Sequence, residues 1–193
     1  MMDLPPTPAQ TIGPFFGYAL PFTRGAEIVS RDAEGAITVH GRVLDGADQP
    51  IPDALVEIWQ TDAEGARSTA VGTIRRDPVT DAVLGRDGTA FTGFARIPTD
   101  ADGHWAVHTV PPGPHHPGAT PYLAVAVFAR GLLHHLYTRI YLPEHSSLLS
   151  ADPALAALSD RLSTLVATRE TDRRYRFDIR LQGPGETVFF EFR

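Results

Sequence analysis

At 193 residues, 42% of them hydrophobic, the chain is long enough for one packed domain with a short appendage. A net charge of -6, with basic residues paired only at Arg75-Arg76 and Arg173-Arg174 among acids, excludes phosphate-backbone binding; the lack of cysteine excludes a disulfide scaffold and a thiolate metal site. No apolar run approaches the ~20 residues a membrane span needs, and Met1–Pro8 has neither a basic nor an apolar leader segment, so a soluble cytoplasmic protein is expected.

Residues 1–22 carry Pro5, Pro6, Pro8, Pro14 and Pro21 and read as an extended arm, with the domain proper over 23–193. An arm that cannot pair its own backbone is either mobile or docked on something. The runs Ile37–Leu44, Ala54–Gln60, Phe91–Ile97, His104–Val110, Tyr122–Ala129, His134–Leu142, Tyr175–Leu181 and Thr187–Phe192 read as strands. Asp45-Gly46 and Gln49-Pro50-Ile51-Pro52-Asp53 punctuate the first two, and Val56, Ile58 and Trp59 give the second the weight of a buried strand. Alternation over Arg176–Leu181 places its apolar set on one face. Val110–Pro121 is a Pro/Gly loop. One amphipathic helix is expected over Asp152–Thr168, with Leu155, Leu158, Leu162 and Leu165 at threes and fours. Strands at regular turn spacing with one late helix predict an all-β fold, an antiparallel β-sandwich.

The block Gly41–Gly65, together with Phe94-Ala95-Arg96, Thr99–Trp105 and His108–Gly113, resembles the intradiol ring-cleavage dioxygenases, non-haem iron enzymes that open catechols between the two hydroxyls. The resemblance implies a transthyretin-like sandwich topology. It also implies four iron-ligand positions: a Gly-x-Tyr soon after the Trp-Gln, a tyrosine after Pro-Gly-x, and a His-x-His on the next strand. Residues i and i+2 of a strand share a face, which is why two imidazoles at that spacing reach one metal. Here those positions hold Arg67, His115, Tyr122 and Ala124. Arginine is permanently cationic and alanine has no donor atom, so at most two could ligate and no metal is expected. Arg67 standing in for the lost metal charge, paired with a buried acid, is a further expectation. His104 and His108 fall four apart on one strand face and His134-His135 are adjacent, so hydrogen-bonded or surface roles are expected. A site of two histidines and a carboxylate built from distant positions is the lesser alternative.

The runs Pro6–Phe15, Phe128–Gly131, His135–Tyr141 and Tyr175–Phe190 are similar to the iron-free alpha chains of those family members that act on protocatechuate. That resemblance implies a beta chain of the same fold as partner, Fe(III) bound by the beta chain, and alpha–beta pairs gathered into a larger hetero-oligomer. The implied reaction is cleavage of protocatechuate with O2 to 3-carboxy-cis,cis-muconate, in the β-ketoadipate route of aromatic breakdown. It further implies that Thr11, Gly13, Pro14 and Phe15 face the substrate and that Arg130 is the catalytic-site cation. The plain alternative for Arg130 is a strand-end arginine paired with an acid. Two other readings stay open: a self-sufficient intradiol dioxygenase with unusual ligands, and a non-catalytic transthyretin-like binding module.

Overall fold

The computed structural model describes residues 16–69, 74–86, 91–150, 152 and 155–191. After a short helix α1 (Phe16–Ala19), the described chain is mostly strand: β1 (Ile37–Leu44), β2 (Leu55–Trp59), β3 (Ile74–Arg76), β4 (Val83–Arg86), β5 (Phe94–Pro98), β6 (His104–Thr109), β7 (Leu123–Phe128) and β8 (Leu136–Ile140). A second short helix α2 (Ser146–Leu149) and a 3-10 segment (Ala156–Leu165) precede β9 (Thr168–Thr171), β10 (Arg174–Arg176) and β11 (Ile179–Arg180).

Apart from β3 and β4, which pair with each other in a sheet of their own, the strands form the two layers of a β-sandwich. One sheet runs β5-β2-β7-β8, antiparallel throughout. The other is organised around β1, which takes β6 antiparallel along one edge and β10 then β11 parallel along the other. Alternation explains the packing between the layers. Val39 and Val43 of β1, Trp105 and Val107 of β6, Val56 and Ile58 of β2, and Val125 and Val127 of β7 all point inward and are buried. A smaller cluster of Tyr141, Leu149, Leu155, Leu165 and Val188 lies under the helical segments.

Three sequence expectations change. The run Tyr175–Leu181 does not hold one continuous ladder. Asp178 takes the Arg42 amide on its side chain at 3.0 Å, in place of a backbone rung, and this divides β10 from β11. The expected helix over Asp152–Thr168 is a 3-10 segment interrupted at Leu158, and Thr168 belongs to β9. Its leucines do pack on the smaller cluster, but the backbone is captured by Tyr141, which donates to Leu165 O and accepts from the Ala167 amide, both at 2.9 Å. The last expected strand, Thr187–Phe192, reduces among described residues to one bridge between Phe190 and Tyr137. The β3–β4 hairpin is an addition to the expected strands. Its turn is set by Asp77, whose carboxylate accepts the Val79 and Thr80 amides at 2.9 and 2.8 Å and is held below its usual range by those bonds. Among described residues, no helix is long and apolar enough to cross a membrane.

Candidate functional site

The four positions singled out by sequence converge. Arg67, His115, Tyr122 and Ala124 line one cavity of about 320 Å³, together with Trp59, Gln60, Thr61, Ser68, Thr92 and Gly113. Tyr122 and Ala124 come from the start of β7, and Trp59 from the end of β2, which pairs with it. Arg67 and His115 come from two loops zipped together at their backbones. The Gly113 amide donates to Asp62 O at 2.7 Å, and Thr61 Oγ1 donates to Gly113 O at the same distance. The approach requires glycine on both sides. Gly65 has φ +89°, a Cβ there would overlap Pro114 O, and one on Gly113 would stand 2.8 Å from the Ala63 carbonyl carbon. On the Arg67 side, Asp62 Oδ1 closes the turn by accepting the Glu64 and Ala66 amides.

The chemistry of this cavity is cationic and aromatic. Burial lowers the pKa of His115, assisted by the neighbouring positive charge of His116, Arg67 and Arg139, with Asp152 acting the other way. The Arg139 guanidinium lies 4.3 Å from the centre of the Tyr122 ring and bonds Tyr141 Oη at 3.2 Å. Tyr122 is thereby held as a wall. Ferric iron prefers several anionic oxygen and imidazole donors, and a cation, an alanine, one histidine and one such tyrosine do not make that set. The residues present do not fit iron. Arg67 is exposed and has no ion-pair partner among the described residues, so the expected pairing with a buried acid is not found. Trp59, expected as buried weight, is 54% exposed and stacks on Phe94 at 4.4 Å on the outer face of its sheet.

A second constellation occupies the opposite end of β7. Arg130 lies two residues past the strand and grips Asp53 as a fork: Nε donates to both carboxylate oxygens at 3.0 and 2.9 Å, and Nη2 to Oδ2 at 2.6 Å. Those bonds, then the carboxylate charge, raise the Arg130 pKa further. Pairing with an acid is the plain alternative for this residue, yet the pair leaves Nη1 without a partner among described residues. The Arg130 side chain is 60% exposed while Asp53 is 11% exposed. The acid is therefore the anchor and the guanidinium its presented edge. Asp53 gives no sequence signal beyond its turn position.

The chain enters the domain beside this pair. A Cβ on Gly17 of α1 would lie 4.0 Å from both Cα and O of Asp53, and Arg96, paired with Glu57 at 2.6 Å, donates to Leu20 O at 3.3 Å. Thr11, Gly13, Pro14 and Phe15 lie outside the described residues. On the outer face of the β1 sheet, His40 bonds Glu170 at 2.9 Å and His104 lies 3.4 Å from His40, while His108 bonds Thr38 at 3.1 Å. No group of three or more metal-binding side chains is placed to hold an ion among the described residues.

Comparison with known proteins agrees with this geometry. A family model described as Dioxygenase matches residues 13–183. The protocatechuate 3,4-dioxygenase alpha chain of Burkholderia cepacia is 37% identical over 99% of this chain and all of its own length. The beta chain from the same organism is 32% identical over 78% of this chain and 66% of its own. Among solved structures, the dioxygenase domain of a dioxygenase–carbohydrate-binding fusion from Streptomyces sp. SirexAA-E superposes with a TM-score of 0.57 at 26% identity, over 93% of this chain and all of that one. The chain belongs to the intradiol ring-cleavage dioxygenase family.

Proposed function

We propose that this chain is the iron-free, alpha-type subunit of a protocatechuate 3,4-dioxygenase, completing the substrate site of an iron-bearing beta chain. The observation that carries the reading is the exchanged ligand set: Arg67, His115, Tyr122 and Ala124 gather around one cavity and are chemically unsuited to iron. Near full-length similarity to an alpha chain, and partial similarity to a beta chain, supports the pairing. In this reading Fe(III) belongs to the beta chain and supplies the ring-opening chemistry when protocatechuate and O2 are present.

This chain's own residues bind, orient and exclude water. Residues 1–22 act as the arm and 23–193 as the domain. Thr11, Gly13, Pro14 and Phe15 line the substrate pocket, glycine letting backbone come close and proline fixing its direction. They directly precede α1, whose Gly17 packs at Asp53, the acid that anchors Arg130, and Arg130 Nη1 has no partner among the described residues. A fixed guanidinium there suits the ring carboxylate. The reading includes a cytoplasmic location and alpha–beta pairs assembled into a larger hetero-oligomer.

Co-expression with an iron-bearing beta chain of the same fold tests this. The expected result is a stable complex whose O2 uptake depends on protocatechuate and exceeds that of either chain alone. A chain that stays single, leaving the beta chain's activity unchanged, contradicts it and favours a stand-alone binding module.

A further inference from the structure

The outer face of the β1 sheet carries an open groove of about 450 Å³ that shares no lining residue with the cavity at the start of β7. Alternation puts His104, Ala106 and His108 of β6 on this face, beside Thr38 and His40 of β1. Ala106, opposite His40 in the register, is the small residue that leaves a hollow between two histidines. Around it the lining holds Arg31, Arg173 and Arg174, and no Asp or Glu among the described residues. Three arginines and three histidines thus line one groove of a chain whose formal charge is -6.

The acids nearby are already engaged. Glu170 lies 2.9 Å from His40 Nε2 and 3.0 Å from Arg174 Nε, and those contacts, the His40 bond first, hold its pKa below the usual range. Glu27 pairs with Arg24 at 2.7 Å, and Asp100 stands 4.0 Å from His104 Nδ1. The arginines are less engaged. Arg31 and Arg173 have neither a side-chain ion pair nor a side-chain hydrogen bond among the described residues, and Arg174 uses only its Nε. The Arg173 carbonyl accepts the Thr38 amide at 2.8 Å, which fixes its backbone at the edge of the groove. His108 spends Nδ1 on Thr38 and leaves Nε2 without a partner. Burial lowers its pKa, the Arg31 charge acts the same way, and Glu27 opposes them.

These features discriminate among ligands. A metal ion finds His40 Nδ1 and His104 Nε2 3.4 Å apart, but meets three guanidiniums and no third donor placed to complete a site among the described residues. A nucleic-acid strand needs a basic track longer than one groove, on a chain that is acidic overall. A singly charged anion satisfies one arginine and leaves the others. A compact molecule with several anionic groups engages them together, each through charge-assisted hydrogen bonds.

We propose that this groove binds a small polyanion, one molecule bearing two or more phosphate or carboxylate groups, on Arg31, Arg173, Arg174 and His108. The site goes beyond the subunit reading and stands whether or not that reading holds.

Pyrophosphate and citrate are the probes for the two head groups. Each is titrated into the full chain at about 0.15 M monovalent salt, followed by calorimetry and by the amide shift of Ala106. At least one is expected to saturate with Kd below ~1 mM, with acetate ~10-fold weaker or worse, and the tighter of the two names the head group. Arg31→Gln and Arg173→Gln replace exposed side chains and should leave the urea midpoint unchanged. Each should weaken binding by about 5-fold, the upper end for an exposed charge pair. Arg161→Gln removes the same charge from outside the groove and should leave binding as it is. Failure of both probes to saturate overturns the proposal, as does acetate matching them or an equal loss in Arg161→Gln. A tetraglutamate peptide binding more tightly than either probe also overturns it, since the face would then be a protein-docking surface.

Discussion

Replacing Gly41 by alanine is expected to destabilise the protein severely. Gly41 sits mid-way along β1, buried, opposite Trp105 of β6 and beside the break between β10 and β11. A Cβ there would overlap the Phe177 carbonyl oxygen and stand 2.5 Å from its carbon. Both neighbours are backbone, so no side chain can rotate away. Relief requires moving Phe177, whose amide donates to His40 O at 2.7 Å and whose ring is part of the main core. One methyl thus opposes the parallel seam that joins the C-terminal strands to β1.

We expect a loss of more than ~4 kcal/mol, in the range reserved for core overpacking and broken backbone networks. That is a large share of the ~5–15 kcal/mol a domain has. Gly118→Ala is the control. Gly118 has φ +84° and an added Cβ would meet nothing within 4 Å, so its cost is the left-handed strain alone, about 1–2 kcal/mol. Urea midpoints of the two variants should differ widely. Equal midpoints would mean that the β1 seam yields more easily than its geometry implies.

Replacing Arg130 by methionine is expected to impair one substrate selectively. In the complex with an iron-bearing chain, kcat/KM for protocatechuate should fall by ~10–150-fold, the loss of a charge-assisted hydrogen bond worth ~1.5–3 kcal/mol. Catechol, which lacks the ring carboxylate, should be turned over with little change. Asp53→Asn keeps the guanidinium but breaks the fork that aims it, so it should produce a smaller loss with the same substrate bias. The bias separates substrate binding from a merely structural ion pair. A strand-end brace for Asp53 would lower both substrates equally, or neither, and that outcome would remove Arg130 from the site.

The sandwich is legible in the sequence because its strands alternate. β1, β2, β5, β6, β7 and β8 fall within the runs picked out by turn residues and inward-facing apolar positions, apart from the last residue of β5. What alternation does not give is pairing. The parallel placement of β10 and β11 against β1 depends on Gly41 and on Asp178 replacing a backbone rung, contacts far apart in sequence. The leucine spacing before Val166 marks the right buried positions but the wrong backbone, because Tyr141 supplies strand-like partners that outcompete a regular helix. At the site, the four exchanged positions are readable since each occupies a motif slot, and they do share a cavity. Asp53 is not readable as the Arg130 anchor: a carboxylate in a turn gives no hint of a partner 77 positions away.

Iron chemistry, in this reading, has left this chain and is supplied by another. Metal analysis of the purified chain and of its complex with a beta chain tests that most directly. We expect no stoichiometric iron and no ring cleavage from the chain alone, and one iron per alpha–beta pair in the complex, lost when the beta chain's ligands are replaced but retained in Arg67→Gln. One tightly held iron per isolated chain, or catechol cleavage by it unaided, would contradict the account.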